Sequence, residues 1–178
     1  MLTQTGRMRA DGTRDGKLVH YIKGVRVAGY SDPFERRSAE AFRDRYDSAP
    51  NPVEQDKFLG WLRPLIGKVD VVMVHEPALI STALEVLKAE PPARPLVFMV
   101  GHTHKADVNQ QPGVTVVNGG SIGAGGTGNL TETTDLSIAR FVFSREPAFQ
   151  PLAVDLVSID PGTGSSSARR QRLDPEDQ

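Results

Sequence analysis

The stretch PLVFMVGHTH, from Pro95 to His104, decides how this chain folds. Its apolar run, 96–100, is rich in branched and aromatic residues and follows a proline, which predicts a short buried strand. The strand ends in Gly101-His102-Thr103-His104. In an extended chain, residues two positions apart share one face, so the two imidazoles can converge on one metal ion or reach two neighbouring ions. A histidine pair taken alone more often lies in a solvated surface loop. Here the pair follows a predicted buried strand, where α/β folds place their sites, and the preceding glycine allows close backbone approach. Both features favour a functional site.

Composition limits the classes of protein that remain. The chain has 178 residues, a net charge of −1 and no cysteine. The near-neutral charge argues against nucleic acid as the main partner. Without thiolates, a bound metal would need histidine, carboxylate or asparagine ligands. The apolar runs are too short to span a membrane, and no signal peptide is visible.

A second strand precedes the first and carries its own histidine. The run 69–74 predicts a buried strand that ends at His75, and the apolar face of 78–89 predicts a helix. Strand, helix and strand with short joints form a parallel β-α-β unit. Its right-handed crossover places His75 and His102 at the same edge of the sheet, where they can share a site.

The remaining elements complete an α/β pattern. Residues 18–29 predict a hairpin that turns at Lys23-Gly24. A helix is expected from Asn51 to Gly67, shortened by Pro64, and weaker helical character over 34–47. A strand at 114–117 leads into Asn118-Gly119-Gly120-Ser121, and strands at 135–144 and 149–159 are expected to pair.

Three regions follow from this organisation. Residues 1–16 are polar and turn-rich and predict a flexible lead-in. Residues 17–160 form the domain, and the Gly, Ser and charged composition of 161–178 predicts a disordered tail.

Two short motifs are rejected for lack of context. The segment 119–123 matches G-x-S-x-G, but no histidine follows Ser121 to act as its base. The segment 123–128 matches G-x-G-x-x-G, but a polar, turn-rich segment follows instead of a helix. Glu76 follows His75 at the head of a helix, where the dipole favours an acidic residue, so a helix-start role is expected for it. His20 lies in the predicted hairpin and is expected to be structural.

The ordered series of His75, Gly101-His102-Thr103-His104 and Asn118-Gly119-Gly120-Ser121 resembles the C-terminal half of the calcineurin-like metallophosphoesterase family. The family pattern there is a strand-end histidine, then Gly-His-x-His, then Asn-Pro-Gly-Ser, so Gly119 replaces a proline. The segment 25–33 also resembles the family's segment after its central Gly-Asn-His-Asp motif. The resemblance covers about residues 17–160 and implies half of a β-sandwich flanked by helices.

The resemblance implies hydrolysis of phosphate esters by a hydroxide that two metal ions activate. His75 and His102 would bind one divalent transition metal ion (Mn, Fe, Zn or Ni), and His104 would bind the other. Gly101, Asn118 and Ser121 would shape the adjoining loops. No catalytic residue beyond the metal ligands is identifiable, and the substrate would be a phosphomonoester or phosphodiester.

The family's Asp-x-His, Gly-Asp-x-x-Asp and Gly-Asn-His-Asp motifs are absent from this sequence. Three imidazoles cannot offset the charge of two close dications, so we expect the missing N-terminal half upstream in a longer enzyme and little turnover by this chain alone. Two alternatives remain: a non-catalytic domain that keeps the fold and one weak metal, and a protein-interaction module that uses exposed sheet edges. Localisation is open, with the cytoplasm as the default.

Overall fold

A computed structural model describes residues 1–31, 52–121 and 136–173. The predicted helical segment at 34–47 and the glycine-rich segment at 123–130 lie outside these ranges. No helix of the described residues is long and apolar enough to cross a membrane.

Eleven strands and two α-helices make up the described chain. In order they are β1 (Leu2–Thr3), β2 (Gly6–Arg7), β3 (His20–Ile22), β4 (Val25–Tyr30), α1 (Pro52–Leu62), β5 (Val71–Val74), α2 (Ser81–Ala89), β6 (Leu96–Val100), β7 (Ala106–Gln111), β8 (Val114–Ser121), β9 (Leu136–Ser144), β10 (Gln150–Ile159) and β11 (Ser166–Arg172). Short 3-10 helices at Arg63–Leu65 and Pro77–Ile80 follow α1 and precede α2.

Nine strands form one mixed sheet in the order β11-β10-β9-β8-β6-β5-β4-β3, with β7 pairing β8 beside that path. The neighbours β4-β5, β5-β6 and β6-β8 are parallel, and the other pairs are antiparallel. The predicted β-α-β unit, the hairpin at 20–30 and the pairing of the last two predicted strands are therefore confirmed.

The central strands are apolar on both faces because both faces are covered. Val72 and Phe98 face α1 and α2 in one buried cluster. Their neighbours Val71 and Val97 face the opposite way, into a second cluster that includes Val154 of β10. The sheet thus folds back on itself, and helices, central strands and β10 form successive layers. The predicted α/β class with a sandwich is confirmed, with both described helices on one face.

Two predictions about the ends of the chain were wrong. The lead-in is ordered at β1 and β2, where Thr3 is buried and its hydroxyl donates to the Gly6 carbonyl at 2.7 Å. The tail contains β11, whose seven residues pair antiparallel with the edge of β10. The pairing uses backbone groups and leaves the polar side chains of β11 largely exposed, so these side chains do not prevent it. Residues 174–178 lie outside the described ranges, and the outer limits of the domain stay a prediction.

The strand β7 was not predicted. Its sequence, Ala106–Gln111, has a single buried apolar residue, Val108. It forms because Gly113, at φ +73°, turns the chain so that β7 pairs with β8 along six residues. Long-range pairing therefore overrides a weak local preference.

Candidate metal-ligand site

The carboxyl ends of the parallel strands meet at one edge of the sheet, as predicted. His75 directly follows β5, and Gly101–His104 directly follows β6. The rings of His75 and His102 meet edge to face, with their centroids 5.4 Å apart. Sequence reasoning thus correctly placed these two imidazoles side by side.

Gly101 makes this approach possible. Its backbone N–H donates to the His75 carbonyl at 3.0 Å, which continues the pairing of β5 and β6 beyond both strands. A Cβ atom at this position would lie 3.3 Å from His75 Nδ1, closer than side chains ordinarily pack. Glycine therefore leaves room for the His75 ring where a larger residue would need that ring to shift.

The expected extended conformation of the His-x-His segment was wrong. The strand β6 ends at Val100, and both His102 (φ +66°) and His104 (φ +59°) adopt left-handed backbone conformations. Each such residue costs about 1–2 kcal/mol, which the surrounding contacts must offset. The pair therefore lies in a strained turn, and strain of this kind clusters at functional sites.

Asn118 and Ser137 hold the strained turn. The buried Asn118 amide donates to the Gly101 carbonyl at 3.1 Å and to Thr103 Oγ1 at 2.6 Å. Ser137 Oγ donates to the His104 carbonyl at 3.2 Å and accepts from the Ala106 N–H at 3.0 Å. Asn118 thus holds this turn through its side-chain amide, and its expected role beside a metal site stays a prediction. Ser137 gave no sequence signal.

The Asn-Gly-Gly-Ser segment forms the end of β8. Asn118 Oδ1 accepts from the Gly120 N–H at 3.2 Å, and Gly120 has a φ of +71°. A Cβ atom on Gly120 would collide with the Ser137 carbonyl. Ser121 pairs with Ser137 across β8 and β9, and its expected role in shaping the site loop stays a prediction.

Glu76 has two roles in this structure. One carboxylate oxygen accepts from the Ala78 N–H at 3.0 Å, which caps the 3-10 helix Pro77–Ile80 and confirms the predicted helix-start role. The other oxygen lies 3.5 Å from His102 Nε2. The second contact was missed, although the adjacency of Glu76 to His75 was a signal for it.

His104 takes a different position from the other two histidines. It lines a groove of about 930 Å³ that also includes Thr103, Lys105 and Asn118. His75 and His102 do not line this groove.

The donor chemistry of His75 and His102 fits two ligands of one divalent transition metal ion, since imidazole nitrogen suits Zn, Fe, Ni and Mn sites of mixed N and O ligands. Within residues 1–31, 52–121 and 136–173, however, no three His, Asp or Glu side chains come close enough together to hold a metal ion. Among the described residues, the two imidazoles have no third potential metal-binding side chain close enough to complete such a group.

The fold is a mixed α/β sandwich with histidines at the carboxyl ends of two parallel strands. The chain belongs to the calcineurin-like phosphoesterase superfamily, because the model of that superfamily's domain matches residues 17–137, more than half of the chain. The match includes His75, His102, His104 and Asn118, and ends before β10 and β11.

Two solved structures are similar to this chain at low identity. Vps29 from Entamoeba histolytica, crystallised with Zn²⁺, is 14% identical with a TM-score of 0.38, over 88% of this chain and 59% of that one. A conserved uncharacterized protein from Streptococcus pneumoniae, described as a predicted phosphoesterase, is 11% identical with a TM-score of 0.29, over 82% of this chain and 97% of that one. The chain thus spans 59% of the length of Vps29. No curated protein matches the chain.

Proposed function

We propose that this chain contributes to a metal-dependent phosphoesterase that hydrolyses phosphomonoesters or phosphodiesters. Its membership in the calcineurin-like phosphoesterase superfamily supports hydrolysis of phosphate esters as the class of reaction. The observation that carries the proposal is the contact of His75 with His102 at the ends of two adjacent parallel strands. His102 also has a left-handed backbone conformation, and strain of this kind clusters at functional sites, which supports a role for the pair as ligands.

His75 and His102 would bind one divalent metal ion, and His104 would bind a second. The bound ions would polarise the phosphoryl oxygens and lower the pKa of the attacking water. Glu76 lies on the Nε2 side of His102 and would fix the orientation of its ring. Asn118 would keep the turn that carries His102 in place through its bond to the Gly101 carbonyl.

Two metal ions would also need carboxylate ligands. The sequence lacks the family's Asp-x-His, Gly-Asp-x-x-Asp and Gly-Asn-His-Asp motifs, and the described residues form no group of three metal-binding side chains. We infer that a segment beyond these 178 residues supplies the carboxylates, and that efficient turnover belongs to the complete protein. The chain alone would then bind metal weakly.

Hydrolysis assays on the full-length protein test this proposal. Purified full-length protein should release phenolate from an aryl phosphomonoester or bis-aryl phosphodiester when Mn, Fe, Zn or Ni is added, and His102→Ala should abolish that activity. The matched control is His20→Ala, since His20 lies in β3 and contacts the Lys17 carbonyl at 2.8 Å. Absence of hydrolysis with every metal would contradict the proposal.

A non-catalytic role is the second candidate. It is favoured by the incomplete ligand group among the described residues. A domain of this kind would keep the fold, bind one metal weakly and act through its surface. Metal binding that raises the melting temperature of the full-length protein without any hydrolysis would decide for it, and metal-dependent turnover would decide against it.

A further inference from the structure

The groove that His104 lines has two walls of different origin. The near wall consists of the turn after β6 and the start of β7, including Thr103, Lys105 and Asp107. The far wall consists of the ends of β10 and β11, including Ser158 and Arg169. The family model ends at residue 137, so the far wall lies beyond the matched domain. Substrate specificity ordinarily varies in the segments around a site rather than in the scaffold that carries it.

Strand alternation determines which side chains of the far wall face the groove. Leu156 is paired with Arg169, and Ser158 with Ser167, as directly opposite residues of β10 and β11. Because successive residues of a strand face opposite sides, these four side chains share one face. Arg170 lies on the other face, where it makes two bonds to Asp155 at 2.6 and 2.8 Å. One arginine of β11 is thus held by a structural ion pair, and its neighbour lines the groove.

The contacts of the Arg169 guanidinium with the rest of the described protein are long. Its guanidinium lies 4.0 Å from Asp107 and donates to Gln171 Oε1 at 3.4 Å. The side chains of Arg169 and Asp107 are 64% and 67% exposed, and an ion pair as exposed as this one contributes little. The guanidinium can therefore turn to a better anionic partner at small cost.

The groove also matches the size and chemistry of an organic phosphate. Its volume of about 930 Å³ is within the range of sites for small molecules. The lining includes two cations, Lys105 on the near wall and Arg169 on the far wall, and one carboxylate, that of Asp107. It therefore carries a net positive charge. Val100, Val116 and Leu156 offer apolar contacts, and Ser167 adds a hydroxyl group.

We propose that this groove binds the organic part of a phosphate-ester substrate that carries a second anionic group, and that Arg169 recognises that group. This inference rests on the phosphoesterase function proposed above. The scissile phosphate lies at the near wall beside His104 and Lys105, and the second anion reaches across to Arg169. Arginine suits this role because its planar fork binds a phosphate or carboxylate through two bonds at once.

Calorimetric titration tests the inference with two probes that share one polar body, glucose 6-phosphate and glucose 1,6-bisphosphate. The full chain should bind the bisphosphate about fivefold to tenfold more tightly, the gain of one exposed charge-assisted contact. Arg169→Gln should reduce that ratio to about one while leaving the affinity for the monophosphate unchanged. The matched control is Arg172→Gln, which removes the same charge from the opposite face of β11 and should keep the ratio.

Equal affinity of the unaltered chain for both probes would overturn the inference, as would no detectable binding of either. An equal fall of the affinity ratio in Arg169→Gln and Arg172→Gln would also overturn it, since the ratio would then depend on the overall charge of the protein and not on Arg169. The titration is made without metal and without hydrolysis, so it is independent of the proposed activity. If the Arg169-dependent ratio is found but no ester is hydrolysed with any metal, the phosphoesterase proposal fails and the groove assignment stands.

Discussion

Asn118→Ala is expected to weaken both the fold and the site. The Asn118 side chain is 8% exposed and makes three hydrogen bonds, to the Gly101 carbonyl, Thr103 Oγ1 and the Gly120 N–H. A buried hydrogen bond contributes about 1 kcal/mol net, so the free energy of unfolding should fall by about 2–3 kcal/mol. For a chain of this length that loss lowers the melting temperature by roughly 5–10 °C. The turn that carries His102 would also lose an anchor, and metal affinity should drop about tenfold.

Urea unfolding and metal titration of the same samples measure the two effects. The control is Asn109→Ala, an exposed amide on the neighbouring strand β7, which should change the unfolding free energy by less than about 0.5 kcal/mol. Asn118→Asp is a second, near-isosteric variant that keeps an acceptor for Gly120 and loses the amide donors. If Asn118→Ala unfolds like the unaltered chain and binds metal equally well, the assignment of Asn118 as the anchor of the turn is refuted.

Three further predictions concern the frame that carries the site. Asp70→Ala should lower the free energy of unfolding in urea by about 3 kcal/mol. The buried Asp70 carboxylate accepts from the Arg26 backbone N–H at 2.8 Å and from the Arg26 guanidinium at 2.6 Å, and both donors would lose their partner. A loss under about 1 kcal/mol would contradict this role of Asp70. Phe98→Ala, which empties a fully buried ring site, should cost about 3–5 kcal/mol in the same assay, and a near-neutral result would show that the two layers do not pack on it. The hydrogen bond from Arg170 holds the pKa of Asp155 below its ordinary value of 3.8, so the stability from this pair is present above that value and is lost as the pH falls through the lower folded pKa. Melting temperatures of the unaltered chain and of Asp155→Asn should therefore converge between pH 5 and pH 2 (roughly the range below the unfolded pKa), and parallel curves would contradict the assignment.

The elements with strong local signals were predictable from sequence. The runs 69–74 and 96–100 are apolar on both faces, and the intervening helix has one apolar face, so the β-α-β unit and the meeting of His75 with His102 followed from pattern and handedness. The structure confirms that contact at a ring separation of 5.4 Å. The role of Gly101 was predictable for the same reason, since a strand must end closely against its neighbour to bring the rings together.

The elements that depend on long-range pairing were not predictable. Ala106–Gln111 and Ser166–Arg172 have weak strand preference and little apolar content, and each forms because a neighbouring edge accepts it. The left-handed turns at His102 and His104 were missed because Asn118 and Ser137, distant in sequence, hold them. The groove was missed for the same reason, because its far wall is built from β10 and β11.

A metal titration of the two histidines measures the central claim most directly. The full chain, His75→Ala, His102→Ala and the double variant are each titrated with Zn²⁺ or Mn²⁺, with His20→Ala as the control. If His75 and His102 bind one ion together, each single variant should lose at least about tenfold in affinity, and the loss in the double variant should differ from the sum of the two single losses, because ligands of one ion are coupled. Unchanged affinity in either single variant, or losses that simply add in the double variant, would contradict a shared metal site.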